Sequence, residues 1–244
     1  MDEHKDYVVL ISADAEWRAT RNYYPQPEQL TSPYGEWFIQ LIHEKGGFRK
    51  PVLFFHGGWG KVASAGATQY IISRWQPRLI INLGTCGGFK GSINRGEIIL
   101  VDKTIIYDIY EQMGDPDLHI RHYTTTLDNS WHIEPSPIPV KRTVLVSGDR
   151  DLFCKDITDL RLKYAAIAGD WESGSIAWIA ARNQMPCLIL RGVTDLVNEE
   201  GGEAYNGGII TFQENTIAVM KTLLDSLPGW LVEFEKNHTN CRSK

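Results

Sequence analysis

Ala168-Gly-Asp-Trp-Glu-Ser-Gly174 and, after a small-residue segment, Cys187-Leu-Ile-Leu-Arg-Gly-Val-Thr-Asp195 decide how the rest of the chain is read. Residues 187–193 are a short apolar run between Pro186 and a polar turn, the pattern of a buried strand. Thr194 and Asp195 then fall at its carboxyl end, and in open α/β sheets that edge is where ligands sit. Residues 175–181 read as a helix whose small side chains let it pack closely on a sheet. Glu172 lies just before its amino terminus. A loop carboxylate and a strand-end carboxylate thus become candidates to face one cleft. The plainer alternative is that Glu172 caps the helix and Asp195 opens a turn. This segment alone does not separate the two.

Working outward, residues 7–11, 37–42, 52–55, 79–82, 97–101, 104–107 and 143–146 read as further strands. Gly46-Gly47 is expected to join the second and third of them, and residues 84–88 to form a glycine turn. Residues 12–16 turn into a first helix, with Ser12 or Asp14 as its cap. Residues 64–75 and 157–163 read as helices. Residues 209–227 read as a closing amphipathic helix stopped by Pro228-Gly229, with a frayed polar tail beyond Phe234. Residues 22–34 hold three prolines and read as loop, and residues 115–139 as a polar surface excursion. Strands alternating with helices predict an α/β protein, a single-domain three-layer α/β/α fold with a mixed central sheet. No internal repeat or linker divides the chain, so residues 1–244 are expected to form one domain.

Composition narrows the class. The chain has 244 residues, of which 43% are hydrophobic, enough for a packed core. The net charge of -5 gives no basic face, which argues against nucleic acid as a partner. Cys86, Cys154, Cys187 and Cys241 are scattered without metal-type spacing, so no metal is expected, and Cys86 and Cys187 read as reduced core thiols. The first six residues are charged and lack the apolar core of a signal peptide. No apolar run is long enough to span a bilayer. The expectation is a cytoplasmic protein with no membrane partner.

Two familiar motifs fail on inspection. Gly58-x-Gly60-x-x-Ala63 follows a strand and opens a helix, as a dinucleotide fingerprint does. That use needs an acidic residue about 20 positions on, and no Asp or Glu occurs between Glu44 and Glu97. A phosphate-binding P-loop fails because Val62 follows Lys61 and Phe55 stands where the first glycine belongs. No cofactor is expected. His119-Ile-Arg-His122 is too short a pattern for a metal and reads as a solvated pair.

Four blocks in order carry a more specific signal: Gly57-Gly-Trp-Gly-Lys-Val-Ala-Ser-Ala65, Asn82-Leu-Gly-Thr-Cys-Gly-Gly88, Val146-Ser-Gly-Asp149, and Trp171-Glu-Ser173 with Arg191-Gly-Val-Thr-Asp195. Together they resemble the nucleoside phosphorylase and nucleosidase superfamily, most of all its 5'-methylthioadenosine/S-adenosylhomocysteine nucleosidase branch. The resemblance implies hydrolysis of the N-glycosidic bond of a purine nucleoside. It implies that Asp195 is the general acid that protonates the base at N7 and that Glu16 positions or activates the attacking water. Glu172 would accept the ribose hydroxyls, with Thr85 and Gly87 lining the site near ribose and base. Leu152 or Phe153 would lie against the base, and Thr194 and Trp171 complete the implied substrate set. Trp171 stands where that family usually has Met, so packing on the sugar differs. The resemblance also implies a homodimer, a neighbour's loop near residues 105–110 closing the pocket.

The residue types suit that chemistry. Breaking an N-glycosidic bond builds positive charge on the sugar and negative charge on the base; an acid near the base relieves the second, and carboxylates near the sugar tolerate the first. Asp195 would need a raised pKa to hold its proton, which burial supplies. Two rivals share the pocket. A phosphorylase would need an arginine-rich phosphate site, for which Arg18, Arg21 and Arg95 are available. A non-catalytic nucleoside-binding or storage protein would keep the fold without turnover.

Overall fold

Tyr7–Ile11 (β1) is fully buried along its length, because it runs through the middle of the sheet with helices on both faces. The computed structural model describes residues 4–241 except 45, 46, 48, 116, 206 and 207, so Gly46 of the expected turn lies outside the described residues. β1 pairs in parallel with Arg49–His56 (β4) on one side and Leu79–Phe89 (β5) on the other. Beyond β4, the antiparallel strands Gly35–His43 (β3) and Leu30–Ser32 (β2) complete one edge. Beyond β5 lies the parallel strand Cys187–Asn198 (β10), which also pairs antiparallel with Ile98–Ile106 (β6) and with Gly201–Gly202 (β11).

From β6 the sheet curls back on itself. β6 pairs in parallel with Lys141–Ser147 (β8), and β8 with Ala166–Asp170 (β9). β9 then returns to β5 through Gly87 and Gly88. Thr124–Thr126 (β7) edges β6. The mixed central sheet is therefore open on the β2 side and closed into a ring on the other. The helices are Asp14–Tyr23 (α1), Gly60–Trp75 (α2), Leu118–His122 (α3), Ile157–Tyr164 (α4), Ser173–Arg182 (α5) and Ile209–Cys241 (α6). One apolar layer packs α1 and α6 on the sheet, around Trp17, Leu223, Trp230 and Phe234. The opposite layer packs α2 and α5 through Ala67, Ile71, Ile176 and Ala180. This is the three-layer α/β/α arrangement expected from the sequence.

Several expected boundaries move, each for a physical reason. The glycine turn at residues 84–88 is strand: β5 runs through it. These glycines mark close approach, not reversal. A Cβ on Gly84 would sit 2.9 Å from both Arg191 Nη1 and Glu16 Oε1, and one on Gly87 3.1 Å from Leu152 Cδ1. Residues 97–101 and 104–107 belong to a single strand, β6, with an irregularity against β8 between Val101 and Lys103. β10 does not end before Thr194; it continues to Asn198, with a bulge against β5 between Val193 and Asp195. Asp195 is thus a mid-strand residue re-aimed by a bulge, not a strand-end residue. The loop at residues 22–34 contains β2, and the excursion at residues 115–139 contains α3 and β7. α1 is not capped by Ser12 or Asp14; its N-cap is Ala13, whose backbone N–H donates to Glu16 Oε2 at 3.1 Å.

Pro228-Gly229 does not stop α6, which continues to Cys241, and Trp230, Leu231 and Phe234 are wholly buried beyond it. Burying those side chains outweighs the one helical hydrogen bond that proline removes. Gly229 has its own role here. A Cβ there would lie 2.7 Å from Pro137 Cβ, so the segment after β7 crosses the helix at this glycine. Gly229→Ala is expected to lower stability by about 1–2 kcal/mol, overpacking outweighing the helical gain. A denaturant titration checks this; a midpoint at or above that of the wild type would contradict the close crossing.

Candidate active site

The structure gathers most of the sequence-predicted residues around one cavity of about 370 Å³ at the junction of β5, β9 and β10. Glu16, Thr85, Gly87, Leu152, Trp171, Glu172, Thr194 and Asp195 all line its wall. Phe153 is the exception: it does not line the cavity, and its exposed ring lies 4.6 Å beneath the Arg150 guanidinium.

Glu16 is buried on the first turn of α1. Its Oε1 accepts from the Thr85 backbone N–H at 2.6 Å and from Thr85 Oγ1 at 2.8 Å, while Oε2 takes the Ala13 amide. The carboxylate bridges α1 and β5 and is held in one orientation by three donors. Thr85 is therefore a positioning residue for Glu16 as well as a wall residue.

Glu172 stands at the N-cap position of α5, but its side chain does not cap that helix. It reaches across to α2, where Oε1 accepts from the Gly60 backbone N–H at 3.0 Å. Behind it lies a buried polar lock. Arg191 Nε donates to Asp170 Oδ2 at 2.7 Å and Nη2 to Asn82 Oδ1 at 2.5 Å. Ser147 and Ser173 hydroxyls also donate to Asp170. With its partners satisfied, this buried pair fixes the β9–α5 corner that carries Trp171 and Glu172.

Burial, together with the nearby carboxylates of Asp170 and Glu16, pushes the Glu172 carboxyl up to about 8. The folded state then binds a proton more tightly than the unfolded chain. Stability from this group is full below its ordinary value of 4.5 and is lost as pH rises toward 8. Glu172→Gln is expected to flatten that decline in the ligand-free protein. Thermal melts across the window check it, and an unchanged slope would refute it.

Asp195 lies at the β10 bulge beside Gly87, where a Cβ would be 3.7 Å from Asp195 Oδ2 and 3.1 Å from Leu152 Cδ1. The missing side chain of Gly87 leaves a slot between an apolar wall and a carboxyl. Thr194 Oγ1 donates to Asp195 Oδ1 at 2.8 Å. Burial raises the Asp195 pKa; the Thr194 hydrogen bond opposes it, and Glu203 and Asp151 add to it. A carboxyl that holds its proton more tightly than a free one therefore faces the slot.

Other cavity residues were not singled out from the sequence, among them Trp59, Arg150, Asp151, Tyr205 and Phe212. Trp59 sits inside the first glycine block, so its place there was a usable signal. Tyr205 had no such marker; its hydroxyl donates to the Leu152 carbonyl at 3.1 Å, across more than fifty residues of chain. Among the described residues no cluster of His, Cys, Asp or Glu has the makings of a metal site, and no helix is long and apolar enough to cross a membrane.

The family model described as "Phosphorylase superfamily" matches residues 25–227. The chain belongs to the phosphorylase superfamily. A 5'-methylthioadenosine/S-adenosylhomocysteine nucleosidase of Maridesulfovibrio salexigens is 26% identical over 214 residues, covering 82% of this chain and 92% of that protein. Two solved Helicobacter pylori structures share the fold of this chain. One is a 5'-methylthioadenosine/S-adenosylhomocysteine nucleosidase holding butyl-thio-DADMe-Immucillin-A, with a TM-score of 0.74, 16% identity, and coverage of 92% of this chain and 98% of that one. The other is a futalosine hydrolase, also with a TM-score of 0.74 and 16% identity, covering 91% and 97%.

Proposed function

We propose that this superfamily member is an N-ribosyl hydrolase that cleaves the N-glycosidic bond of a purine nucleoside, 5'-methylthioadenosine or S-adenosylhomocysteine. The observation that carries this reading is the meeting of Glu16, Glu172 and Asp195 around one cavity, in three different hydrogen-bonding environments. Three like groups held differently suit three tasks.

In this reading the base enters the slot between Leu152 and Asp195, and Glu172 accepts the ribose hydroxyls. The C1'–N9 bond breaks with its electron pair leaving on the base, and Asp195 gives its proton to N7. Water bonds to C1' and yields a proton to Glu16. The products are the free base and the free sugar; Glu16 then releases its proton to solvent, and solvent returns one to Asp195. Thr85 holds Glu16 in place, and Thr194 holds Asp195.

Water is favoured over phosphate by the placement of the arginines. Arg18, Arg21 and Arg95 do not line the cavity. Arg21 donates to the Pro27 carbonyl at 3.0 Å, and Arg95 pairs with Glu203 at 3.3 Å. Arg150 does line it but is paired with Asp156. The deciding experiment is incubation with 5'-methylthioadenosine with and without phosphate. Adenine in both mixtures is the expected result; adenine only with phosphate would make the protein a phosphorylase.

The chain is further proposed to be one domain, since one connected sheet runs from β1 to β11. Buried free thiols at Cys86 and Cys187 favour a reducing, cytoplasmic setting. A homodimer is proposed, with the exposed Tyr110 and Met113 near the partner's pocket; a monomeric mass in solution would rule it out.

A further inference from the structure

Three residues that do not line the cavity are bonded to one another in a closed ring beside it. Lys61 lies in the first turn of α2, and its backbone N–H donates to Asp149 Oδ1 at 2.7 Å. Asp149 follows β8, and its backbone N–H donates to Asp108 Oδ2 at 2.8 Å. Asp108 follows β6, and Lys61 Nζ closes the ring on its two oxygens at 2.5 and 2.6 Å. The Lys61 and Asp108 side chains are only 24% and 11% exposed, so each charge depends on the other for a partner. The ammonium that a P-loop would offer to phosphate is here committed to Asp108.

The ring joins three segments distant in the chain, and two glycines let them approach. A Cβ on Gly60 would lie 2.8 Å from Asp149 Oδ1, and one on Gly148 2.9 Å from Tyr107 Cε1 and 3.0 Å from Asp108 Cγ. Two groups of site residues hang on this junction. The amide beside that of Lys61, on Gly60, donates to Glu172 Oε1 at 3.0 Å. Asp149 leads directly into Arg150, Asp151 and Leu152, which line the cavity. Leu152 is the apolar wall of the slot at Gly87. A shift of α2 against the Asp149 segment would therefore change the span between Glu172 and Leu152.

We propose that Lys61 and Asp108 are positioning residues: acting through Gly60 and Asp149, they hold Glu172 and the Leu152 wall at the span of one nucleoside before the substrate arrives. The inference rests on the hydrolase reading for the placement of ribose at Glu172 and base at Leu152. Order already present in the free protein does not have to be created on binding. Without the ring, a nucleoside that touches both walls must itself bring them into register, and its affinity falls by that ordering cost. Once bound, it meets the same chemical groups in the same places, so turnover persists. Adenine alone touches only the base wall and escapes the cost.

The test measures kcat and KM for 5'-methylthioadenosine and the inhibition constant of adenine. It uses the whole protein and its Lys61→Met, Asp108→Asn, doubly substituted and Lys61→Arg variants. Each neutral variant should raise KM roughly tenfold, with kcat and the adenine constant within about threefold of the wild type. The double variant should be no worse than about the weaker single one, because both substitutions break one ring. Lys61→Arg, whose guanidinium can still give two N–H groups to a carboxylate, should keep KM within about threefold. A brace that merely stabilises the fold would lower the melting temperature and leave the ratio of KM to the adenine constant unmoved. That result would overturn the proposal, as would a fall in kcat alone or adenine weakened in step with the nucleoside. If the wild type cleaves no nucleoside with or without phosphate, the hydrolase reading fails. Equilibrium dialysis of 5'-methylthioadenosine and adenine against the same variants then decides the positioning role by the same ratio, and a wild type that binds no nucleoside overturns both.

Discussion

Asp195→Asn will lower kcat by roughly 10³-fold or more while leaving nucleoside binding within a few-fold of the wild type. The asparagine amide fills the same space but cannot give a proton to the leaving base. The site around it will hold. Thr194 Oγ1, now 2.8 Å from Asp195 Oδ1, can donate to the amide oxygen. The slot beside Gly87 keeps its Leu152 wall. Stability gives a second reading of the same substitution. Burial raises the Asp195 pKa, so in the folded protein ionisation costs more than in the unfolded chain. That cost is absent at pH below the carboxyl's ordinary value of 3.8 and grows as pH rises through the raised one. A neutral asparagine does not incur it. The variant should therefore melt at or above the wild-type temperature at neutral pH, and the advantage should vanish in acid. Single-turnover adenine release, with thermal melts at two pH values, checks both parts. Unchanged turnover would remove Asp195 from the acid role. Lost turnover accompanied by a clearly lower melting temperature would indicate misfolding instead.

What the sequence could and could not reveal follows from which interactions are local. The alternation of apolar runs with helical segments is local, and it yielded the layers and the mixed sheet. The four blocks carry the site because glycines and carboxylates within them meet in space, and eight residues of those blocks, Trp59, Thr85, Cys86, Gly87, Trp171, Glu172, Thr194 and Asp195, line the cavity with Glu16 and Leu152. The errors arise where tertiary contact overrides a local signal. Residues 84–88 look like a turn, yet β5 needs their missing side chains to admit Glu16, Arg191 and Leu152. Pro228-Gly229 looks like a stop, yet the helix buries Trp230 and Phe234 beyond it and the glycine lets Pro137 cross. The bulge at Asp195 has no mark in the chain, because it arises from the register between β10 and β5. Tyr205 closes the cavity through one bond to a distant carbonyl, a link no neighbouring residue announces.

Glu16→Gln will lower kcat by roughly 10²–10³-fold with little change in KM, because in the proposed mechanism its task is to receive a proton as water attacks, an event confined to the transition state. The geometry makes the substitution a clean one at Oε1. A glutamine oxygen there would still accept from the Thr85 amide and hydroxyl, now at 2.6 and 2.8 Å. At Oε2 the new NH2 would face the Ala13 N–H, which today donates to the carboxylate at 3.1 Å. Two donors facing one another would loosen the first turn of α1, so a modest fall in melting temperature is expected as well. Glu16→Asp separates the two effects. It keeps a carboxylate but withdraws it by one methylene, losing hold of Thr85 while retaining a base. If proton acceptance is the task, Glu16→Asp keeps more activity than Glu16→Gln. If Glu16 merely braces α1 against β5, glutamine, which preserves the Thr85 contacts, is the better replacement. The order of the two variants in kcat decides between a base and a brace, and the bracing order would withdraw Glu16 from the chemistry while leaving Asp195 and Glu172 in place.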